Sequence, residues 1–209
     1  LTLNLKSETG KALFLDLIQN VDVLVENFRP GTMERLGLGY ETLKQINPGL
    51  IYAAASGFGQ SGPYSRQPAY DGVVQAMGGI MSITGQLGGA ATRVGTSIGD
   101  IAAGLFTAVG ILAAVIHRDK TGQGQLVDVA MLDCQVALLE NAIARYTVAG
   151  ELPGPIRNRQ PSITPYEPFT TSDGQFLVAI GKNALWSRFC AALNNPELAP
   201  DPRVQTNAR

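Results

Sequence analysis

A short run that is apolar at every position, residues 50–55, follows an alternating run at residues 21–25, and helical patterns separate the two. This order constrains the fold more than any other feature of the chain. A strand without polar positions is typical of a parallel sheet that is covered on both faces. Parallel neighbours also need a crossover connection, which the helical segments between the runs can form. We therefore predict an α/β fold with a mainly parallel sheet.

Periodicity predicts further elements along the chain. Apolar residues spaced three and four apart indicate helices, and Ser172-Asp173-Gly174 between two extended runs indicates a β-hairpin. The predicted helices cover residues 11–19, 32–36, 40–46, 71–84, 101–117, 132–148 and 184–193, and the remaining strands cover residues 126–129, 166–171 and 175–180.

Composition also predicts the domain organisation. Five of the fifteen residues 150–164 are glycine or proline, which is typical of a connecting segment. We expect a sheet domain over residues 1–150, a linker over 151–165, and the incomplete start of a smaller α+β domain over 166–209. Because the chain opens on Leu1 without an initiator methionine, we expect it to be the central piece of a longer protein, with the N-terminal part of the first domain missing.

The charge content excludes several kinds of partner. Only 16% of the residues are charged, where about 25% is usual, although 45% are hydrophobic. We therefore expect part of this surface to be covered by another molecule or segment. The net charge is −1 and no cluster of like charge occurs, so neither nucleic acid nor an acidic membrane is an expected partner.

The longest apolar stretch, residues 101–116, has 16 residues and contains two glycines and a threonine. A membrane span needs about 18–20 residues, so we expect a buried helix instead. No signal-peptide pattern opens the chain, and a cytoplasmic location is expected.

Cysteine and histidine are too few for most metal or redox chemistry. Cys134 and Cys190 lie in separate apolar helices and are expected to be buried structural thiols, and His117 is the single histidine. We expect neither a metal nor a redox cofactor. Carboxylates, hydroxyl groups and the backbone remain as candidates for chemistry.

Asp100 is the strongest single candidate, because it follows a glycine at the predicted start of the long apolar helix. Aspartate is a preferred N-cap residue, and a cap is one interpretation of this position. The other interpretation is a catalytic carboxylate. Both roles can coexist only if one carboxylate oxygen stays free of the helix.

Three further segments have a functional and a structural interpretation. Residues 27–31, with Arg35 after them, are either a nucleotide or phosphate site at a strand end or a loop with solvated arginines. Residues 56–60 are not interpreted as a dinucleotide site, because its Gly-x-Gly-x-x-Gly motif must open a helix and Pro63 intervenes here. Tyr70-Asp71 is either a ligand-facing pair or an aromatic residue before a helix N-cap.

Five motifs in a fixed order resemble the family III CoA-transferases of the CaiB/BaiF type, and the resemblance covers nearly the whole chain. The motifs are Val25-Glu26-Asn27-Phe28-Arg29-Pro30-Gly31, Ser56-Gly57-Phe58-Gly59-Gln60-x-Gly62-Pro63-Tyr64, Ala69-Tyr70-Asp71, Gly99-Asp100-x-x-x-Gly104 and Arg118-x-x-x-Thr121-Gly122-x-Gly124-Gln125.

The resemblance implies a Rossmann-like first domain in an enzyme that moves CoA from an acyl-CoA to a carboxylic acid. Such proteins are roughly twice this length and form interlocked homodimers. Asp100 matches the catalytic aspartate, which forms a mixed anhydride and then an aspartyl-CoA thioester. Tyr70 and Asp71 match the loop that lines the thioester. The positions that match contacts to CoA are Leu3, Lys6, Asn27, Phe28, Arg29 and Arg35.

Two other functions stay open beside the transferase. The same fold occurs in α-methylacyl-CoA racemases, but those enzymes have a histidine where this chain has Tyr70, and a phenol is a poor base near neutral pH. The second alternative is an inactive CoA-binding scaffold or a truncated fragment. Residues 161–169 are similar to transferases that use succinyl-CoA and dicarboxylates such as glutarate, and this indicates a substrate class.

Overall fold

The computed structural model describes residues 1–204 and divides the chain into two compact units. The first unit is Leu1–Ile83 with Ala91–Pro153, and the second is Thr84–Ala90 with the chain from Gly154 onward. Residues 84–90 were expected in the first domain. They group with the later segment, and the Arg157 amide donates a hydrogen bond to the Gly85 carbonyl at 3.1 Å between the two. The start of a separate domain at residue 166 stays a prediction.

The first unit alternates helices with three strands, so the predicted α/β class with a parallel sheet is confirmed. The strands are β1 (Val23–Glu26), β2 (Ile51–Ser56) and β3 (Leu126–Ala130). The helices are α1 (Glu8–Ile18), α2 (Thr32–Arg35), α3 (Tyr40–Ile46), α4 (Asp71–Met77), α5 (Ile80–Ile83), α6 (Ile98–Thr121), α7 (Met131–Ala137) and α8 (Glu140–Ala149).

The sheet has the order β1-β2-β3 and is parallel throughout, with Val23 opposite Ile51 and Tyr52 opposite Leu126. Successive side chains of the central strand β2 point to opposite faces, which explains its continuous apolar sequence. Ile51 and Ala53 pack with α4, α6 and α7, whereas Tyr52 and Ala54 pack with residues of α1, α2 and α3.

Two predicted helices are interrupted. The segment 71–84 divides into α4 and α5 at Gly78-Gly79, where Gly79 has a left-handed φ of 92°. The segment 132–148 divides into α7 and α8 at Leu138-Leu139, and Leu139 leaves the helical region with a ψ of 19°. Each break follows a short helix, α4 or α7, that packs against the first turn of α6.

Helix α6 is buried on one face only. Its inward side chains include Ala102, Ala103 and Ala114, so the expectation of a buried helix holds for that face. The opposite face exposes five large apolar side chains, Ile101, Leu105, Val109, Leu112 and Ile116. Within residues 1–204, α6 is the one helix that is long and apolar enough to cross a membrane, a test that core helices of soluble proteins also pass.

The second unit contains the predicted hairpin, formed by β4 (Tyr166–Thr170) and β5 (Gln175–Ala179), and then helix α9 (Asn183–Ala192). The strands are antiparallel, and the Thr171 amide closes the turn on the Gly174 carbonyl at 2.8 Å. Cys134 of the first unit and Cys190 of α9 are both buried and free, as predicted.

Candidate active site

Asp100 lies in the first turn of α6, three residues after Ser97, which is the N-cap of the helix. The N-cap prediction for Asp100 is therefore wrong: the helix begins before the apolar stretch, because the Gly99 amide finds an acceptor on α4. The Asp100 carboxylate is exposed and has no hydrogen-bond or ion-pair partner among residues 1–204. Both of its oxygens are thus accessible to another molecule.

The position of Asp100 also favours a negative charge. The N-terminal end of an α-helix carries a partial positive charge of about half an elementary charge, concentrated in its first turn. Asp100 is the third residue of a 24-residue helix and therefore lies within that turn. An exposed carboxylate without a protein partner is suited to act as a nucleophile.

Asp71 is the first residue of α4 and is 7% exposed, with both carboxylate oxygens occupied. One oxygen accepts the Gly99 amide at 2.9 Å. The other accepts Gln75 Nε2 at 2.8 Å and Arg93 Nη2 at 3.1 Å. Asp71 is therefore engaged with protein groups and connects α4 to the turn that carries Asp100.

The pKa of Asp71 reflects two opposed effects. Burial raises the pKa of the carboxyl, but the hydrogen bonds from Gly99, Arg93 and Gln75 and the positive charge of Arg93 outweigh it. The pKa is consequently lowered from the ordinary value of 3.8, and the group is a carboxylate at neutral pH.

Tyr70 precedes this network and occupies the N-cap position of α4. The interpretation of Asp71 as the cap is therefore wrong by one residue. The Tyr70 side chain is 79% exposed, so its ring contributes little to the core of the first unit. Of the two candidates at this step, Tyr70 is the one whose side chain is available to a ligand.

The loop after β1 is held at the carboxyl end of the sheet. Asn27 Nδ2 donates to the Ala55 carbonyl of β2 at 2.6 Å, and the Phe28 amide donates to a carboxylate oxygen of Glu26 at 2.6 Å. The Phe28 ring stays 49% exposed. Burial raises the pKa of Glu26, which is 8% exposed, although the Phe28 hydrogen bond acts against this shift.

The predicted cationic contacts lie on the surface. Arg29 and Lys6 are exposed, and neither has an ion-pair partner in the described part of the chain. Arg35 is exposed and donates to Thr32 Oγ1 at 2.8 Å. Leu3 is half-buried in the segment before α1.

Contacts through β2 connect the loop after β1 with the turn of Asp100. Asn27 binds the Ala55 carbonyl near the end of β2. Two residues later, a Cβ on Gly57 would collide with the Cβ of Ala69, so this backbone and that of Ala69 are packed together. Asp71 lies two residues after Ala69 and accepts the Gly99 amide. These contacts link Asn27, Asp71 and the turn of Asp100 through the carboxyl end of β2, and parallel α/β proteins bind ligands at that edge of the sheet.

Gln75 and Arg93 belong to this site, although the sequence did not identify them. The spacing of four between Asp71 and Gln75 places them on one helix face, and this was the available signal. Arg93 lies 22 residues from its partner, and no local pattern indicates that contact. Within residues 1–204, no group of three or more His, Cys, Asp or Glu side chains could hold a metal ion.

Comparison with protein families gives a match over the entire chain. A family model described as CoA-transferase family III matches residues 1–209. The chain is 46% identical over 208 residues to an acetyl-CoA:oxalate CoA-transferase of Acetobacter aceti, covering 99% of this chain and 54% of that protein. It is 44% identical over 205 residues to a succinyl-CoA:mesaconate CoA-transferase of Haloarcula marismortui, covering 96% of this chain and 52% of that protein.

A solved structure has the same fold. The crystal structure of a CaiB/BaiF family protein from Brucella suis superposes with a TM-score of 0.84 at 39% identity, covering 99% of this chain and 55% of that one. The chain thus spans about half the length of the relatives it matches.

Proposed function

The chain belongs to CoA-transferase family III, and on this premise we propose that the full-length protein moves CoA from an acyl-CoA donor to a carboxylic acid, with Asp100 as the nucleophile. The observation that carries the proposal is the exposed Asp100 carboxylate in the first turn of α6, without a partner among residues 1–204. Its relatives' names support the reaction class.

The first half of the reaction loads CoA onto the enzyme. A carboxylate oxygen of Asp100 attacks the thioester carbonyl, and the carbon–sulfur bond breaks to give a mixed anhydride and CoA thiolate. The thiolate then attacks the aspartyl carbonyl of the anhydride. This step releases the donor acid as its carboxylate and leaves an aspartyl-CoA thioester.

The second half reverses these steps with the acceptor acid. The acceptor carboxylate attacks the aspartyl thioester, and CoA thiolate leaves as a second anhydride forms. The thiolate attacks the acceptor's acyl carbonyl, which gives the new acyl-CoA and restores the Asp100 carboxylate. The CoA thiolate that attacks in each half is released as a thiolate by the preceding carbon–sulfur cleavage, and the other nucleophiles are carboxylates, so no general base is needed.

Groups at the carboxyl edge of the sheet fit the CoA part of the substrate. The unpaired cations of Arg29 and Lys6 can bind phosphate oxygens, and the half-exposed Phe28 ring can stack on a base. Arg35, Asn27 and Leu3 are the remaining proposed contacts, and Tyr70 is proposed to lie beside the thioester.

Short dicarboxylates are the proposed acceptors. The Acetobacter relative is named for oxalate and the Haloarcula relative for mesaconate, which are both dicarboxylic acids. Succinyl-CoA is a proposed donor, since it occurs in the second of these names. A homodimer is also proposed, and the apolar outer face of α6 supports a covered surface in the full-length protein.

Substitution of Asp100 tests the proposal. In the full-length protein, Asp100→Asn keeps the shape of the side chain but removes the nucleophile, so transfer from succinyl-CoA to oxalate should fall by more than about a thousandfold, or ~4 kcal/mol in the barrier. Binding of acyl-CoA should persist. Asp133→Asn, which removes a carboxylate from α7, is the matched control. Transfer within about tenfold of the unsubstituted enzyme would contradict the role of Asp100.

A further inference from the structure

We propose that Asp71 and Gln75 are positioning residues for Asp100, because together they cap its helix from the neighbouring helix α4. This inference rests on the proposed function, in which Asp100 is the nucleophile. Neither side chain needs to touch the substrate in this role.

The local cap of α6 is incomplete, and Asp71 completes it. An N-cap side chain normally accepts a hydrogen bond from the amide of the second or third helical residue. The Ser97 side chain makes no such bond. The amide of Gly99, the second helical residue, instead donates to Asp71 at 2.9 Å. A carboxylate at this place also interacts favourably with the helix dipole.

Gln75 fixes the segment that leads into the helix. It is fully buried, and its Oε1 accepts the Val94 amide at 2.8 Å. Its Nε2 donates to Asp71 at 2.8 Å and also approaches the Thr96 carbonyl at 3.3 Å. Residues 93–97 have no regular secondary structure, so these side-chain contacts determine the path of the backbone.

The first turn of α6 is restrained against movement both toward and away from α4. A Cβ at Gly99 would lie 2.7 Å from Cγ2 of Val74, so the backbone is already as close to α4 as packing allows. The Asp71 hydrogen bond opposes movement away from α4. Asp100 is the next residue, and its own side chain has no bond within residues 1–204, so its position follows from this backbone.

Arg93 balances the buried charge. Its guanidinium, 49% exposed, pairs with Asp71 at 3.1 Å. With Gly99, Gln75 and Arg93 all donating to it, Asp71 has its oxygens committed to the protein. That arrangement distinguishes a positioning residue from a substrate contact.

The test uses the full-length protein with Asp71→Asn and Gln75→Met, and measures three quantities. The rate at which hydroxylamine converts the activated Asp100 to its hydroxamate, with CoA thiolate or the donor carboxylate as leaving group, is the trapping rate. It should fall by about tenfold to a hundredfold, as expected for a small misplacement of a reacting group. The Kd for acyl-CoA should stay within about threefold. Amide exchange over residues 93–103 should become faster.

Asn47→Ala is the matched control for a general loss of stability. Asn47 also makes three hydrogen bonds between segments, to the Ile18 and Val21 carbonyls and from the Gly49 amide, but none near Asp100. This variant should be less stable, with the trapping rate and the exchange over 93–103 unchanged. A trapping rate equally reduced in all three variants would overturn the proposal.

Other outcomes are equally decisive. A raised Kd with unchanged exchange would make Asp71 a substrate contact and overturn the proposal. If neither α4 variant folds, the Arg93→Gln variant is tested instead. An unchanged trapping rate and unchanged amide exchange over residues 93–103 in that variant would contradict the cap. If hydroxylamine does not modify Asp100 in the unsubstituted enzyme, the proposed function fails. Faster amide exchange over residues 93–103 in the two α4 variants would then still support the cap, and unchanged exchange would overturn the cap.

Discussion

Arg29 is the residue that most directly tests the CoA end of the site. Its guanidinium is exposed without an ion-pair partner in the described residues, so a substitution removes little from the fold. Arg29→Ala should raise the Kd for acyl-CoA about tenfold, since a charge-assisted bond to phosphate contributes ~1.5–3 kcal/mol. The effect should shrink at high salt.

Arg188→Ala is the control for this prediction, because Arg188 is equally exposed but lies on α9 in the second unit. Isothermal titration of both variants with acyl-CoA gives the comparison. Equal affinities of the two variants would contradict a phosphate contact at Arg29.

Tyr70 separates the transferase from a racemase. Exchange of an α-proton needs a base on each face of the carbon, and an ordinary phenol is a weak base at neutral pH. In deuterated water, the full-length protein should move CoA from succinyl-CoA to a short dicarboxylate without placing deuterium on a 2-methylacyl-CoA. Deuterium incorporation without transfer would favour the racemase instead.

Motifs select the candidate residues, which remain predictions, but they do not indicate which contacts those residues make. Asp100 could be selected from its sequence context, yet its place in the helix was wrong because the Gly99 amide is satisfied by Asp71, 28 residues away. Arg93 was missed for the same reason, because its partner Asp71 lies 22 residues away. Gln75 was missed although its spacing of four from Asp71 was available in the sequence. Long-range hydrogen bonds leave no periodic signal in a sequence.

At the scale of the elements, the first turn of α6 depends on the absence of a side chain at Gly99. A methyl group there would approach Val74 at 2.7 Å and Asp71 at 3.2 Å. Gly99→Ala should therefore lower the free energy of unfolding by ~1–3 kcal/mol, the usual cost of overpacking. Chemical denaturation of the full-length protein measures it.

Gly104→Ala, in the same helix, is the matched control. A Cβ at Gly104 would meet no atom within 4 Å. Alanine favours a helix over glycine by ~1 kcal/mol, so this variant should be unchanged or more stable. If both variants were destabilised equally, close packing at Gly99 would not be the cause.

The contact between α4 and α6 should also depend on pH. The pKa of Asp71 is lowered from 3.8, so its ionised form stabilises the fold above that value, and the stabilisation is lost as the pH falls through the lower folded-state pKa. The stability difference between the unsubstituted protein and Asp71→Asn should accordingly shrink below about pH 4. Denaturation at several pH values checks this, and a constant difference down to pH 3 would contradict it.

Elements with a strong periodicity were predicted closely, and their ends were not. Strand β2 follows the sequence pattern because both of its faces are buried. The hairpin strands were also predicted, although Phe176 and Leu177 of β5 stay exposed. The helix predicted over 71–84 breaks at Gly79, whose left-handed backbone ends α4 and starts a new turn. Apolar spacing alone does not distinguish such a glycine from one inside a helix.

For the whole molecule, the fold class was predictable from one strand. Once β2 is apolar on both faces, helices must cover both sides of the sheet, and the two core clusters show this arrangement. The grouping of residues 84–90 with the later unit was not predictable, since contacts such as the one between Gly85 and Arg157 join segments far apart in the sequence. The chain covers about half of its relatives' length.

The central claim is that the Asp100 carboxylate gives one oxygen atom to the donor acid and receives one from the acceptor acid in each turnover. If the acceptor attacks an aspartyl thioester and CoA thiolate then attacks the acceptor's carbonyl, one acceptor oxygen stays on Asp100. The full-length protein should therefore be incubated with succinyl-CoA and an acceptor labelled with ¹⁸O at both carboxylate oxygens, then digested and analysed by mass spectrometry. The peptide that contains Asp100 should gain ¹⁸O, and the Asp100→Asn peptide should not; CoA transfer with an unlabelled Asp100 would contradict the mechanism.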